Sequence, residues 1–277
     1  MTQFHPRQRQ DEATPVLELR DIRISYSSVD APPVLAVEHL SLCVREGEFL
    51  ALIGPSGCGK SSTLNAMAGL TPVDAGEILL HGQPVHRISD RVGYISQADH
   101  LLPWRTVLDN VALGLELRGM SKKLRHARAR ELIASMGLGG FETNYPHELS
   151  GGMKKRVTIA RVLAIEPEIL FMDEPFAPLD VFTRERLQED IMGVWAATGQ
   201  TIVYVTHDLT EAISLADRVL LFGGRPGQVR GEYPVPLARP RQVMDAKFDD
   251  QFVSLEKTIL TDLRAALRET GGTGDGN

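Results

Sequence analysis

The chain has 277 residues, 43% hydrophobic and 24% charged, an ordinary globular composition that excludes a fibrous or wholly disordered protein. A formal net charge of −6 argues against a dedicated nucleic-acid binder, so no nucleic-acid partner is expected. Two cysteines, Cys43 and Cys58, cannot form a disulfide framework and fit a reducing cytosol.

Residues 1–14 are polar and are expected to be disordered; they lack the apolar centre of a secretory signal, so the protein is expected inside the cell. Residues 16–26 and 35–45 alternate apolar and polar, which predicts half-buried antiparallel strands. By contrast "FLALI" at 49–53, "ILFMD" at 169–173 and "TIVYVT" at 201–206 are continuously apolar. Such runs suit strands of a parallel sheet covered on both faces, and all are far shorter than the roughly 18 residues needed to span a bilayer. Helical patterns follow near 60–69, 181–198 and 209–216, giving an α/β fold with a mainly parallel sheet and an antiparallel β portion. Residues 106–137 interrupt that alternation with two helix-like segments, so roughly 98–159 reads as a helical insertion. Beyond 225 a Pro-rich stretch leads to an amphipathic helix with Phe248, Phe252, Leu255, Ile259 and Leu263 on one face, expected to close the core. The Gly-rich end, 271–277, is expected to be disordered.

The chemistry begins at "GPSGCGKS", Gly54 to Ser61, directly after an apolar strand and before a helical pattern. This is the phosphate-binding P-loop. Gly54, Gly57 and Gly59 let the backbone curl so that its N–H groups surround phosphate oxygens. Lys60 would neutralise the β- and γ-phosphates, and the Ser61 hydroxyl would ligate Mg²⁺. Pro55, Ser56, Cys58 and Ser62 complete the candidate nucleotide-binding set. "ILFMDEP" ends a strand in two carboxylates, at the sheet edge where open α/β folds place ligands. Asp173 suits Mg²⁺ through a bound water, and Glu174 suits a base that positions and deprotonates an attacking water. "TIVYVTHD" puts His207 at the same edge, where it would bond the transferring phosphoryl group. Gln97, after "VGYIS", could reach Mg²⁺ or the water.

A second stretch, "LSGGM" at 149–153, has a hydroxyl and two glycines opening a helix, an anion-binding start without a lysine or a metal ligand. It cannot be a self-sufficient nucleotide site. With it the set resembles the ATP-binding cassette (ABC) ATPases, the motor subunits of transporters. "GPSGCGKS" resembles the P-loop, Gln97 the Q-loop, "LSGGM" the signature, "ILFMDEP" Walker B, "APLD" with Asp180 the D-loop, and His207 the switch histidine. The resemblance implies an ABC ATPase domain over 15–225 that uses ATP and Mg²⁺, with a strand-and-helix extension over 226–270. It implies that Tyr26 stacks on adenine, a sheet-packing role being the alternative. It also implies a head-to-tail pairing in which Ser150, Gly151, Gly152 and Met153 of one subunit close over its partner's ATP.

"LLPWRTVLDNVALGLELRG" at 101–119, Met153 and the ending "GRPGQV…YPVPLARPR" are similar to the nitrate, sulfonate and taurine importer group. That likeness implies a second copy or paralogous ATPase as partner, integral membrane permease subunits, an external substrate-binding protein, and a peripheral position on the cytoplasmic face of the membrane. Two departures stand out: Pro178 where alanine is usual, and Lys154–Lys155 in place of a commoner Arg-Gln. Leu101, Leu102 and Trp104 are either a permease-docking surface or core. Six basic residues over 118–130 are either a solvated face or a lipid-facing patch. The rival functions are a soluble ABC ATPase unconnected with transport and a non-hydrolysing nucleotide-binding regulatory module.

Overall fold

The computed structural model describes residues 15–28, 31–177, 179–239, 241 and 246–271. The expectations for residues 1–14, for the tail from 272 and for Pro178 therefore fall outside the described residues.

Strands β1 (Pro15–Ser28) and β2 (Ala31–Arg45) pair antiparallel, and β4 (Ala75–Leu80) with β5 (Gln83–Pro84) completes a four-stranded sheet ordered β2-β1-β4-β5. The buried positions of β1 change parity, from Leu17 and Leu19 to Ile22 and Ile24. A register shift between Leu19 and Ile22 explains the change, because one extra residue turns every later side chain to the other face. Asp21 and His39 take positive φ angles of 48° and 52° near this irregularity, and His39 Nδ1 lies 2.7 Å from Asp21 Oδ1. The carboxylate raises the pKa of that exposed imidazole.

The second sheet is ordered β10-β9-β3-β8-β7-β6. It contains β3 (Phe49–Ile53), β6 (Val92–Ile95), β7 (Ile169–Asp173), β8 (Thr201–Val205), β9 (Arg218–Gly223) and β10 (Gln228–Pro234). All are parallel except β10, which pairs antiparallel with β9 at one edge. Alternate residues face opposite layers. Leu50, Leu52, Phe171, Val203 and Val205 pack against the antiparallel sheet, while Phe49, Leu170, Met172, Ile202 and Tyr204 pack against helices. Burial on both faces is why these strands read as unbroken apolar runs.

Helices α1 (Lys60–Met67), α6 (Val181–Thr198) and α7 (Leu209–Leu215) lie where the periodicity predicts them. Between β6 and β7 the chain forms α2 (Val107–Val111), α3 (Leu113–Leu117), α4 (Lys122–Ser135), a 3₁₀ turn (Pro146–Glu148) and α5 (Gly151–Leu163). Three helices thus occupy the stretch where two are expected: the apolar period runs through Ala112, but the backbone there breaks it into α2 and α3. Of the basic residues over 118–130, Arg118 bonds the Ile165 carbonyl, Arg125 bonds the Met120 carbonyl, and Arg128 pairs with Glu166. Lys122, Lys123 and Arg130 are exposed.

The last helix, α8 (Asp250–Gly271), extends one residue into the expected disordered tail. It buries Phe252 and Ile259 and packs Leu255 and Leu263 on the core. Phe248 does not share that face: it is 84% exposed. The Asp249 carboxylate accepts from the Gln251 N–H at 2.7 Å, so the helix starts after Phe248 and leaves it off the helical pitch. No helix among the described residues is long and apolar enough to cross a membrane.

The two sheets are joined at one end by Arg218, the first residue of β9. Its guanidinium donates to Glu48 just before β3 at 2.7 Å, to Glu232 of β10 at 2.7 Å, and to the Cys43 carbonyl of β2 at 2.6 Å. Burial works against its charge, but bonds to the two carboxylates outweigh burial and hold the arginine above its ordinary pKa. Arg239 makes a similar bond to Asp217 at 3.0 Å, just before β9.

Candidate functional site

The chemistry-bearing residues all leave the opposite, C-terminal ends of the parallel strands, which is where the doubly wound topology opens a crevice. β3 runs into the P-loop, β6 into Gln97, β7 ends in Asp173, and β8 leads to His207.

In the P-loop, Gly54 has φ 149° and a side chain there would meet the Phe222 carbonyl at 2.3 Å, so only glycine fits between β3 and β9. Gly59, at φ 88°, heads α1 without a side-chain cap. The first-turn amides of α1 therefore have no intrahelical acceptor and point at the loop, the arrangement that binds phosphate. The Lys60 ammonium lies across the loop, 2.8 Å from the carbonyls of both Gly54 and Pro55. Ser56 and Gly57 are exposed, Pro55 and Ser62 are half-buried, and Cys58 is buried beneath. Burial pushes the Cys58 thiol above its ordinary pKa, against the opposing charge of Lys60. Alkylation of Cys58 is therefore disfavoured: at neutral pH we expect a maleimide to label half-buried Cys43 faster than Cys58 in the folded chain. Mass-spectrometric labelling rates check this, and faster modification of Cys58 would contradict it.

The structure brings Ser61 and Asp173 together, with the hydroxyl donating to Asp173 Oδ1 at 2.9 Å. Burial and the adjacent Glu174 charge push Asp173 up, while the Ser61 bond opposes the shift. No cluster of three or more His, Cys, Asp or Glu side chains forms among the described residues. Two hard oxygen donors on one edge fit Mg²⁺, which completes its shell with water and substrate phosphate rather than with protein.

Glu174 adopts an uncommon φ of 44°, and its N–H donates to the Val205 carbonyl at 3.0 Å. That backbone turn brings its carboxylate 3.0 Å from Nδ1 of His207. Beneath them the buried Glu211 carboxylate accepts from Tyr204, Thr206 and Gln188, pinning the residue just before His207. Burial raises the Glu211 pKa. Gln97 is exposed, and its side chain makes no hydrogen bond among the described residues; its carbonyl is held instead by Lys155. Tyr26, on β1, is exposed. Burial, then the charge and bond of Asp173, push the Tyr94 phenol above its ordinary pKa, with Tyr26 adding a smaller contribution.

The structure does not bring "LSGGM" to this edge as part of the same cluster. Ser150 caps α5, accepting from the Met153 N–H at 3.3 Å, and Ser150 and Gly151 are exposed. Gly152 abuts α6, where an added side chain would strike Thr183 at 2.6 Å. Met153 packs partly on the core. Asp180 caps α6 through the Thr183 N–H at 3.0 Å, and its backbone bonds depress its pKa.

Three residues of the site escape the sequence reading. The Tyr94 hydroxyl on β6 donates to Asn65 at 2.8 Å and lies 3.5 Å from Asp173. Asn65 sits one helical turn after Ser61 on α1, a spacing that was available as a signal. Arg225, in the β9–β10 turn, lays its guanidinium against the P-loop, 3.4 Å from the Ser56 carbonyl. No linear pattern marks Tyr94 or Arg225.

This geometry defines a P-loop ATPase in which a second glycine-rich helix start, at Ser150, stands apart from the phosphate loop. The ABC transporter family model matches residues 37–177, and the chain belongs to the ABC transporter ATP-binding family. It is an ATPase subunit of an ATP-driven membrane transporter. Among its relatives, the taurine import ATP-binding protein TauB of Rhizobium johnstonii is 42% identical over 241 residues, 86% of this chain and 90% of that protein. TauB of Escherichia coli K12 is 38% identical over 244 residues, 87% and 96% of the two chains. An uncharacterized ABC transporter ATP-binding protein of Methanocaldococcus jannaschii, MJ0412, is 44% identical over 231 residues, 83% and 85%. A dimeric, post-hydrolysis structure of the ATP-binding cassette MJ0796 bound to ADP and Pi superposes with TM-score 0.71 at 31% identity, covering 80% of this chain and 100% of that one.

Proposed function

We propose that this chain is the motor of an importer for taurine or a related sulfonate or oxyanion, working as a head-to-tail pair on the cytoplasmic face of the membrane. The observation that supports this best is the split between a complete phosphate-and-metal edge and an exposed signature helix start not gathered into it. Each chain then lacks half of a closed site and a partner supplies it.

In this reading the P-loop amides and Lys60 hold the phosphates and Tyr26 stacks on adenine. Ser61 and Asp173, with Gln97, would hold Mg²⁺, which would neutralise charge on the β- and γ-phosphates. Glu174 aligns the attacking water and takes its proton, and His207, bonded to Glu174, orients the transferring group. Ser150, Gly151 and Gly152 donate to the partner's γ-phosphate beside Met153, and Asp180 shapes the crossing. ATP favours the closed pair because it touches both subunits there; hydrolysis removes that differential affinity and the pair opens.

The permease contact is assigned to Trp104. Leu101 packs on the core, but Trp104 is 72% exposed, which removes the core reading for the tryptophan. Co-expression with candidate permease and substrate-binding subunits, followed by uptake of labelled taurine against nitrate, tests the proposal. We expect taurine or a sulfonate to accumulate, and Trp104→Ala to lower uptake about tenfold while ATP binding and melting temperature stay unchanged. Full uptake by the variant would remove Trp104 from the contact; uptake of neither solute class would overturn the substrate assignment.

A further inference from the structure

One face of α5 carries Lys155, Thr158 and Arg161 at spacings of three, and every one of them donates to main-chain carbonyls following β6. The Lys155 ammonium, on a side chain 1% exposed, donates to the Ser96 carbonyl at 3.2 Å and the Gln97 carbonyl at 2.9 Å, and lies 2.9 Å from the Asp99 carboxylate. Thr158 bonds the Asp99 carbonyl at 3.0 Å, and Arg161 bonds the carbonyls of Asp99 at 3.1 Å and His100 at 2.8 Å. Ser96 Oγ takes the remaining carbonyl, Ala98, at 2.8 Å. A little further on, buried Asn110 of α2 accepts from the Leu102 N–H at 2.8 Å and donates to the Leu102, Arg105 and Thr106 carbonyls.

The segment from Ser96 to Thr106 is therefore bound along its backbone to α5 and α2. A buried ammonium that serves two carbonyls and a carboxylate is costly to leave half-satisfied, so its bonds stay made together. Gln97 has its main chain fixed and its side chain free, while α5 begins at Ser150 and Gly151, two turns from Lys155 at most.

We propose that Lys155 is a positioning residue that fastens Gln97 to the signature helix, so that the two travel as one body relative to the parallel sheet. This rests on the reading in which Gln97 meets the chain's own ATP and Ser150 the partner's. Under it, engagement of Gln97 by one nucleotide sets the position of the signature at the other, and the two sites of a pair close together. Lys155 touches neither nucleotide and acts only through what it holds.

The test uses the full chain in a Glu174→Gln background, in which ATP is expected to trap a dimer. Lys155→Met removes the donors and keeps the apolar stem; Lys155→Gln keeps an amide donor. We expect Lys155→Met to weaken ATP-dependent dimerisation by about tenfold, the scale of a lost charge-assisted bond. Its monomer affinity for ATP should stay within about twofold, because nothing in the P-loop changes. Hydrogen exchange should quicken over residues 96–102 and not in β3 or α1. Lys155→Gln should recover part of the dimer. A dimer unaffected by Lys155→Met overturns the proposal. So does a loss that both variants share equally with a fallen melting temperature and weakened monomer binding, since that marks a packing role. No dimer in Glu174→Gln alone would instead overturn the head-to-tail reading, and this inference with it.

Discussion

We expect Glu174→Gln to stop steady-state ATP hydrolysis, by about 10²-fold or more, while ATP still binds and a dimer accumulates. Glutamine has the shape of glutamate and keeps an oxygen acceptor toward His207, 3.0 Å away in the native site, so the geometry survives. It cannot take a proton, which is the step proposed for Glu174. Lys60, Ser61 and Asp173 are untouched, so the proposed phosphate and metal contacts would remain and a nucleotide held between two chains would not be consumed. Turnover assays and light scattering with and without ATP measure both effects. Retention of turnover within a few-fold of the native rate would take Glu174 out of the catalytic role. A native chain with no turnover at all would restore the non-hydrolysing module as the better reading.

Gly151→Asp tests whether the helix start at Ser150 serves a partner's nucleotide rather than its own. The position is exposed, its nearest neighbour to an added side chain is Leu179 at 3.9 Å, and its φ is not positive, so an aspartate fits. A carboxylate in the first turn of α5 is favoured by the helix dipole, so the monomer should be as stable as the native chain or slightly more so. Against a partner's phosphates the same charge is repelled, and closure should weaken by about 10²-fold or more. We expect unchanged ATP affinity in the monomer and loss of both dimerisation and turnover. Weakened monomer binding would show instead that the signature serves its own nucleotide. Gly152 is the wrong position for this experiment, since an added Cβ would come 2.6 Å from the Thr183 methyl, so that side chain or α6 would have to shift.

Much of this site is legible in the sequence because its parts are local. A P-loop is one turn between a strand and a helix, and the Asp173–Glu174 pair is one strand end. The parallel strands are legible too, since burial on both faces leaves an unbroken apolar run. What escapes is nonlocal or turns on a single residue. The parity change in β1 needs the bulge near Asp21, and the exposure of Phe248 depends on where α8 begins. Tyr94 reaches the site from a neighbouring strand and Arg225 from the turn between two others, and no spacing along the chain records that adjacency. Lys155 stands in the sequence only as an unusual substitution. Its meaning lies in carbonyls nearly sixty residues away, and side-chain bonds to backbone carry no signature in the partner's residue types.

The parallel sheet has two unlike ends. At the entry end stand Glu48 and Arg218, a buried ion pair whose arginine also bonds the Cys43 carbonyl of the other sheet, and Asp217, paired with half-buried Arg239. At the exit end stand the phosphate loop, the paired carboxylates and His207. The residues that fasten the two sheets together and those proposed to act on the nucleotide therefore stand at opposite ends of one short sheet, so a substitution at one end leaves the contacts of the other in place.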